Sequence, residues 1–260
     1  MAGVGRLEAL TRIGFAARGI MYLLIGLLAF QSGRTEDGAG ALATLDSDLG
    51  RLAVGLMALG FVGYGLWRLS EAAIDTQGYG RDAKGVAKRA SGVVSGLIHL
   101  SLAVVAAKLA LDLDIEKGDG TRAGAAAAMD LPGGSLLLGL AALALLVAGA
   151  FQLLRAVNAD FLKHLDGRAA GQAWVLWLGR AGHAARGIVF LLMGWFFVRA
   201  AWASDAGEAG GVGQALDSLP DSLRPVVAVG LSLFGLFSLV EARHRRINDP
   251  RVLERLRALG

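Results

Sequence analysis

Residues 12–19 read Arg-Ile-Gly-Phe-Ala-Ala-Arg-Gly and lead into an uninterrupted apolar stretch. The pattern returns at residues 180–187 as Arg-Ala-Gly-His-Ala-Ala-Arg-Gly, again ahead of apolar residues, and a degenerate copy lies between them at residues 89–96. Three copies of one helix start indicate three tandem repeats of a single structural unit.

The composition indicates a membrane protein. Apolar residues make up 55% of the 260 residues, charged residues only 18%, and the mean hydropathy is +0.54. A helix needs roughly 20 mainly apolar residues to span the hydrocarbon core. The alternative of a soluble six-helix bundle is disfavoured by the short loops and the sparse surface charge. We therefore predict six spans, at about 13–32, 51–72, 91–111, 134–156, 179–201 and 225–242.

The second helix of each unit repeats as well. Residues 64–72 (Tyr-Gly-Leu-Trp-Arg-Leu-Ser-Glu-Ala) align with residues 148–156 and 234–242. Two-helix units return the chain to its starting side, so successive repeats are parallel and related by an axis along the membrane normal. The sequence predicts an all-α polytopic membrane protein with pseudo-threefold symmetry, with or without a central cavity. The predicted boundaries are 6–84 for repeat one, 85–160 for repeat two, 172–246 for repeat three and 247–260 for a C-terminal tail.

The distribution of charge predicts the topology. Most of the 26 Lys and Arg residues lie in the N-terminus, the second and fourth loops and the tail, while more than half of the 22 acidic residues lie on the other side. Because basic loops stay cytoplasmic, we expect a bacterial inner (plasma) membrane protein with both termini inside. Short Ala/Leu segments at 41–45, 125–129 and 214–219 predict helical turns at the outer surface. The tail at 247–260 predicts a basic amphipathic helix that binds anionic lipid or docks on a partner.

Ionisable residues inside the spans are the first candidates for a functional site. Arg18 and Arg186 lie on the first helices of repeats one and three, and Glu71 and Glu241 lie on the second helices. In repeat two, serine (Ser95) replaces the arginine and arginine (Arg155) replaces the glutamate, so both members differ together. This favours Arg–Glu contact within a repeat or between adjacent repeats. A static ionic belt, a gate or anion-binding ring, and simple snorkelling of the side chains to the interface all stay open as its role.

His99 lies in the middle of its predicted span, aligned with Tyr22 and Phe190. An intramembrane ionisable residue is a functional hypothesis by default, and histidine can relay protons near neutral pH. The alternative is a neutral imidazole bonded to a neighbouring helix. With Ser95 and Tyr22, it forms the candidate polar path.

Other chemistries find no support in the sequence. The chain has no cysteine, which excludes disulfides and thiolate ligands, and its histidines lack a paired metal-ligand spacing. Phosphate-binding loops and nucleophile motifs are absent, so we predict no catalytic residue, no metal and no cofactor. Nucleic-acid binding is not predicted from the pI of about 9.8, because topology accounts for the basic residues.

The Ala-Arg-Gly helix starts, with Tyr22 or Phe190 just after them, and the closing segment at 237–246 resemble the bacterial membrane family known as domain of unknown function 1206. The resemblance covers nearly the whole chain as three two-helix units, and repeat two departs from it at Ser95 and Arg155. It implies six membrane helices and brings no established activity or cofactor.

Two hypotheses for function follow. The first is permeation or binding of a small solute, ion or lipid through a central path between the repeats, which uses His99 and the Arg–Glu positions. The second is a non-catalytic structural or accessory subunit of a membrane complex, or a homo-oligomer, whose small-residue faces and basic tail bind another membrane protein. A water-accessible cavity that reaches His99 favours the first, and a filled axis with exposed glycine faces favours the second.

Overall fold

The computed structural model describes residues 2–31, 38–75, 80–113 and 120–245, and these are almost entirely helical. The predicted tail helix at 247–260 lies outside the described residues. Two short 3-10 turns, Asp160–His164 and Ala206–Glu208, accompany the α-helices. The helices are α1 (Ala2–Gln31), α2 (Gly38–Ala43), α3 (Asp48–Ile74), α4 (Ala83–Ala110), α5 (Gly120–Met129), α6 (Gly134–Asn158), α7 (Gly167–Ala170), α8 (Ala173–Ala203), α9 (Val212–Asp217) and α10 (Arg224–His244).

Six of the described helices are long and apolar enough to cross a membrane, which confirms the predicted polytopic all-α fold. Helices α1 and α3 form repeat one, α4 and α6 form repeat two, and α8 and α10 form repeat three. The start of α1 and the end of α10 share one side of the bundle, which is called the terminal side below. The candidate spans are Arg12–Phe30, Asp48–Ala73, Gly85–Ala110, Gly134–Asn158, Ala173–Ala203 and Arg224–His244.

Local sequence signals set the helix starts. The Ser47 side chain accepts a hydrogen bond from the Gly50 N–H at the start of α3, and the Asp82 side chain caps α4 through the Gly85 N–H. Such caps satisfy N–H groups that have no partner within the helix. The three Ala/Leu segments fall within or overlap α2, α5 and α9, and α2 and α9 bury alanine and leucine side chains against the spans.

The spans stand side by side in the order α4, α3, α1, α10, α8, α6. Neighbouring repeats pack through α3 on α4, α6 on α8 and α10 on α1, so each repeat contacts both of the others. Within repeats, α1 packs on α3 and α8 packs on α10. Among the described residues, no extensive packing joins α4 to α6. The ring of six helices is therefore open inside repeat two.

Each junction between repeats is a close crossing of two glycines. A Cβ atom on Gly19 would lie 2.9 Å from the carbonyl oxygen of Gly235, and one on Gly235 would lie 2.7 Å from that of Gly19. Small residues are what permit two membrane helices to approach this closely. These equivalent contacts give the three junctions one geometry and account for the pseudo-threefold relation. The other two pairs are Gly65 with Gly96 at the α3–α4 junction and Gly149 with Gly187 at the α6–α8 junction.

Repeats one and three also close internally through small residues. A Cβ atom on Gly14 would lie 2.5 Å from the Cβ of Tyr64, and one on Gly60 would lie 2.7 Å from the Cβ of Ala17. These contacts bring α1 and α3 together along the first hairpin. In repeat three the equivalent contacts are Gly182 with Phe234 and Gly230 with Ala185.

Repeat two has larger residues at these positions and stays open. Two positions that are glycine in both other repeats hold Ser91 and Ala144, and one position that is alanine in both holds Val94. In those repeats a single Cβ added to either glycine would lie 2.5–2.7 Å from the facing residue, so the larger side chains do not fit the closed arrangement.

Side-chain exposure follows from this separation. Val94 and Ile98 are 45% and 49% exposed, whereas their equivalents in repeat one, Ala17 and Met21, are 3% and 5% exposed. The face that repeats one and three bury inside their hairpins is therefore uncovered in repeat two.

Candidate functional site

Arg18 lies at the centre of the largest polar cluster inside the bundle and is 5% exposed. Its Nη2 atom lies 2.6 Å from Glu241 Oε2, its Nε and Nη2 atoms donate to Ser238 Oγ, and its Nη1 atom donates to Tyr64 Oη at 2.8 Å. Arg245 also donates to Glu241, at 2.7 Å. The predicted Arg–Glu contact therefore exists, and it joins repeat one to repeat three.

Glu71 does not pair with Arg18, although the two lie in the same repeat. It accepts a hydrogen bond from Arg68 of its own helix, three residues earlier. The position across the α3–α4 junction belongs to Ser95, which has no charge to offer. Glu71 therefore takes its positive partner from its own helix.

Arg186 departs from the predicted Arg–Glu pairing. Its Nε atom donates to Tyr22 Oη at 3.0 Å, and its guanidinium lies over the rings of Tyr22, Phe190 and Phe234 at 4.6–5.4 Å from their centroids. Among the described residues no carboxylate forms an ion pair with it. The position on α6 that aligns with Glu241 holds Arg155, which carries the same charge as Arg186.

Of the three residues of the predicted polar path, His99 and Ser95 meet within one helix, and no hydrogen bond or ring contact among the described residues joins either of them to Tyr22. The Nδ1 atom of His99 lies 2.7 Å from the Ser95 carbonyl oxygen, and its ring centroid lies 4.4 Å from that of Tyr64. The His99 Nε2 atom is buried without a hydrogen-bond partner among the described residues. Tyr22 packs edge-on against Phe234. His99 is thus packed among the side chains of Phe61 and Tyr64 at this level.

The opening between α4 and α6 is the least covered part of the bundle interior. Phe151 of α6 is 38% exposed, whereas its equivalents Trp67 and Phe237 are 3% and 0% exposed inside the closed hairpins. Apolar side chains of both helices line this opening and are exposed or half-buried. They are Val94 and Ile98 on α4 and Ala144, Leu145 and Phe151 on α6.

Basic residues lie near the terminal-side ends of the two helices that border this opening, Lys88 near the start of α4 and Arg155 near the end of α6. The hydrogen bond from Lys163 and the charges of Lys163, Arg155 and Lys88 hold the pKa of Asp160 below its usual range. Burial lowers the pKa of His164 to about 4, and the positive charges of Arg245, Arg155 and Lys88 contribute. Lys88 of α4 and Arg155 of α6 therefore act on the same short turn. These two residues and Lys163 are called the basic mouth below.

The 3-10 turn at Asp160–His164 is fixed to the bundle by its aromatic residue. The Phe161 ring stacks on His183 with centroids 4.8 Å apart and packs edge-on against Phe237. The backbone after the turn pairs with the end of α10, through the Asp166 N–H to the His244 carbonyl oxygen at 2.9 Å. The basic mouth is therefore built on a packed segment.

Sequence reasoning missed Lys88, Lys163 and Gln152 as site residues, and it missed the glycine pairs at the junctions. The signal for the glycines was present, because Gly19, Gly96 and Gly187 align, as do Gly65, Gly149 and Gly235. Gln152 aligns with Arg68 and Ser238, both of which make polar contacts in the structure. A full alignment of the repeats with one another would have identified the glycine pairs and Gln152.

The chain has relatives whose names assign no activity. The family described as Domain of Unknown Function (DUF1206) matches it three times, at residues 13–75, 90–159 and 181–245. The chain is 28% identical over 252 residues to the uncharacterized protein YxxB of Bacillus subtilis (strain 168), covering 91% of this chain and 90% of that protein. No solved structure matches the chain.

Proposed function

This chain belongs to the family of Domain of Unknown Function 1206, and we propose that it is a non-catalytic membrane protein that binds an anionic phospholipid in the opening between α4 and α6. The observation that carries the proposal is the exposure of a helix face in repeat two that repeats one and three bury. The terminal side then faces the cytoplasm of a bacterial plasma membrane, in agreement with the positive-inside rule.

The apolar part of the opening fits an acyl chain. Val94 and Ile98 form one wall, and Ala144, Leu145 and Phe151 form the other. Bulk lipid tails are as apolar as leucine, so these walls provide shape and not a strong driving force. Selectivity for one lipid must therefore come from its headgroup.

The basic mouth supplies the headgroup contact. Lys88 lies near the start of α4, Arg155 near the end of α6 and Lys163 in the turn after it, so all three are near the terminal-side ends of the candidate spans, where the proposal places the lipid phosphate. Basic pockets between membrane helices on the cytoplasmic side bind anionic headgroups, and each Lys or Arg near the surface contributes about 1 kcal/mol. Charge complementarity favours an anionic lipid over a zwitterionic one.

The alternatives have less support. His99 is buried against Phe61 and Tyr64, which gives less support to a water-accessible path that reaches it. The junction glycines are occupied by neighbouring helices and offer no free face to an accessory partner. A helix of another membrane protein in the same opening is the competing occupant, and the experiment below separates it from lipid.

Native mass spectrometry of the protein purified in mild detergent tests the proposal. We expect the wild type to retain one anionic phospholipid, and we expect the Lys88→Gln, Lys163→Gln double variant to bind it roughly thirtyfold more weakly, from about 2 kcal/mol for two lysines. The matched control is Lys108→Gln with Arg199→Gln, which removes two charges on the opposite side. Retention of anionic and zwitterionic lipids alike, or a bound protein subunit in place of lipid, contradicts the proposal.

Cysteine cross-linking tests the opening itself, because the chain contains no native cysteine. We expect the pair Ala17→Cys and Phe61→Cys, two buried positions of the closed hairpin in repeat one, to cross-link readily with a short bifunctional reagent. The equivalent pair in repeat two, Val94→Cys and Leu145→Cys, should not cross-link with the same reagent. Equal cross-linking of both pairs means that repeat two closes as the others do.

A further inference from the structure

The three junctions between repeats carry equivalent polar positions with different charges. Each junction pairs a glycine on the first helix of one repeat with a glycine on the second helix of another. One polar position comes directly before the first of these glycines, and two more lie three and six residues after the second. At the α10–α1 junction these are Arg18, Ser238 and Glu241, which hydrogen-bond together. The charges at these three positions cancel.

The α3–α4 junction is balanced in another way. Its three positions hold Ser95, Arg68 and Glu71, and the arginine and the glutamate pair with each other. One arginine and one glutamate are therefore present at both of these junctions, although they occupy different positions. Each buried glutamate in the described structure has a guanidinium partner.

The α6–α8 junction has two arginines and no acid at these positions. They are occupied by Arg186, Gln152 and Arg155. Gln152 is 7% exposed, and its buried Oε1 atom lacks a hydrogen-bond partner among the described residues. The terminal amino groups of Arg186 make no hydrogen bond to any described residue, since its one such bond uses Nε.

We infer that the α6–α8 junction binds a small oxyanion, a carboxylate or a phosphate, between Arg186 and Gln152. Gln152 occupies the position from which Ser238 contacts Arg18 at the equivalent junction. A guanidinium presents a planar fork of donors that matches an oxyanion. Rotation of the Gln152 amide by half a turn directs its NH₂ group to the same ligand. The oxyanion then takes for Arg186 the role that the Glu241 carboxylate has for Arg18.

The ligand has two chemical sources, a free anion or the phosphate of a lipid. The inference stands apart from the proposed lipid site, because it depends on Arg186 and Gln152, whereas the lipid retention test changes Lys88 and Lys163. A lysine double variant that loses its lipid and keeps its response to phosphate would separate the two sites.

The decisive variant is Gln152→Glu, which supplies the missing carboxylate with almost no change in side-chain shape. Thermal unfolding of the delipidated protein is measured in detergent with sodium phosphate, and with sodium chloride at equal ionic strength. We expect saturating phosphate to raise the wild-type Tm by roughly 5–10 °C. Gln152→Glu should have a higher Tm than wild type without phosphate and should not respond to it.

Two further variants complete the test. Arg186→Met should also lose the phosphate response, and Gln172→Glu, the same chemical change at an exposed position, should keep it. A second arm replaces phosphate with a short-chain anionic phospholipid. A response to that lipid alone, lost in Gln152→Glu, identifies a lipid phosphate as the source. No wild-type response in either arm, or an equal response in Gln152→Glu, overturns the inference.

Discussion

Removal of the Glu241 carboxylate is expected to destabilise the bundle strongly. Arg18 would remain buried at 5% exposure, bonded to Ser238, Tyr64 and at most the neutral amide oxygen of the new glutamine, with no carboxylate to balance its charge. Breaking a buried ion pair by removing one partner costs about 3–5 kcal/mol, because the remaining charge is uncompensated. Each kcal/mol lowers the Tm of a chain near this size by roughly 2–4 °C. Glu241→Gln should therefore lower the Tm by roughly 6–20 °C in mild detergent.

A double-mutant cycle identifies the partner. Arg18→Met with Glu241→Met should recover part of the two single losses, with a coupling energy of about 0.5–3 kcal/mol. The cycle of Arg18→Met with Glu71→Met should show a smaller coupling, because Glu71 pairs with Arg68. Thermal unfolding followed by tryptophan fluorescence measures both cycles.

The control for this prediction is an exposed ion pair on the opposite side of the bundle. Asp46 pairs with Arg51 at 3.1 Å and its side chain is 81% exposed. Asp46→Asn should cost about 0–1 kcal/mol, as exposed pairs do. A loss for Glu241→Gln no larger than this, or equal couplings in the two cycles, would refute the assigned pairing.

Three further measurements test the fold and its orientation. Gly149→Ala should lower the free energy of unfolding by about 1–3 kcal/mol, because the added methyl overpacks the α6–α8 crossing. Gly124→Ala should raise it by about 0.5–1 kcal/mol, because nothing lies within 4 Å of the added Cβ. Thermal unfolding measures both. Burial lowers the pKa of His164 from 6.5 to about 4. The free energy of unfolding that the neutral His164 contributes is therefore complete above pH 6.5 and is lost as the pH falls towards 4. A His164→Gln variant whose Tm depends on pH as the wild type does would contradict this. A reporter fused after Gly260 should read cytoplasmic, and a periplasmic signal would reverse the topology.

The sequence alone was enough to predict the six spans and the three repeats. Hydropathy and length determine which segments can cross a membrane, because an apolar helix of about 20 residues has few alternatives. The partner of Arg18 was harder to predict. The second helix of its own repeat and that of a neighbouring repeat both lie within reach of Arg18, so the alignment permits Glu71 and Glu241 equally. Only the packing of the folded helices distinguishes them.

The opening in repeat two could not be predicted for a related reason. Ser91 and Ala144 are unremarkable in an apolar helix, and the atoms they add to a glycine have no consequence until the facing residue is known. The structure shows that the equivalent glycines in repeats one and three lie against the backbone or Cβ of the facing helix. Whether a side chain is too large for the closed hairpin depends on the residue that faces it on the other helix. The sequence of one helix therefore does not show whether the hairpin can close.

The sequence of repeat two differs at the positions that make contacts inside its hairpin and keeps the glycines that make contacts with the neighbouring repeats. Its junctions to the neighbouring repeats retain the glycines Gly96 and Gly149. Its hairpin interior has lost the aromatic contacts of the other repeats, since Gly92 and Ala148 stand where repeat one has Phe15 and Tyr64, which pack edge-on 5.2 Å apart. Unselected divergence would affect junctions and interior alike. Repeat two is therefore held in the ring by its neighbours while its own helices stay apart, and the lipid site proposed for that interior is consistent with both facts.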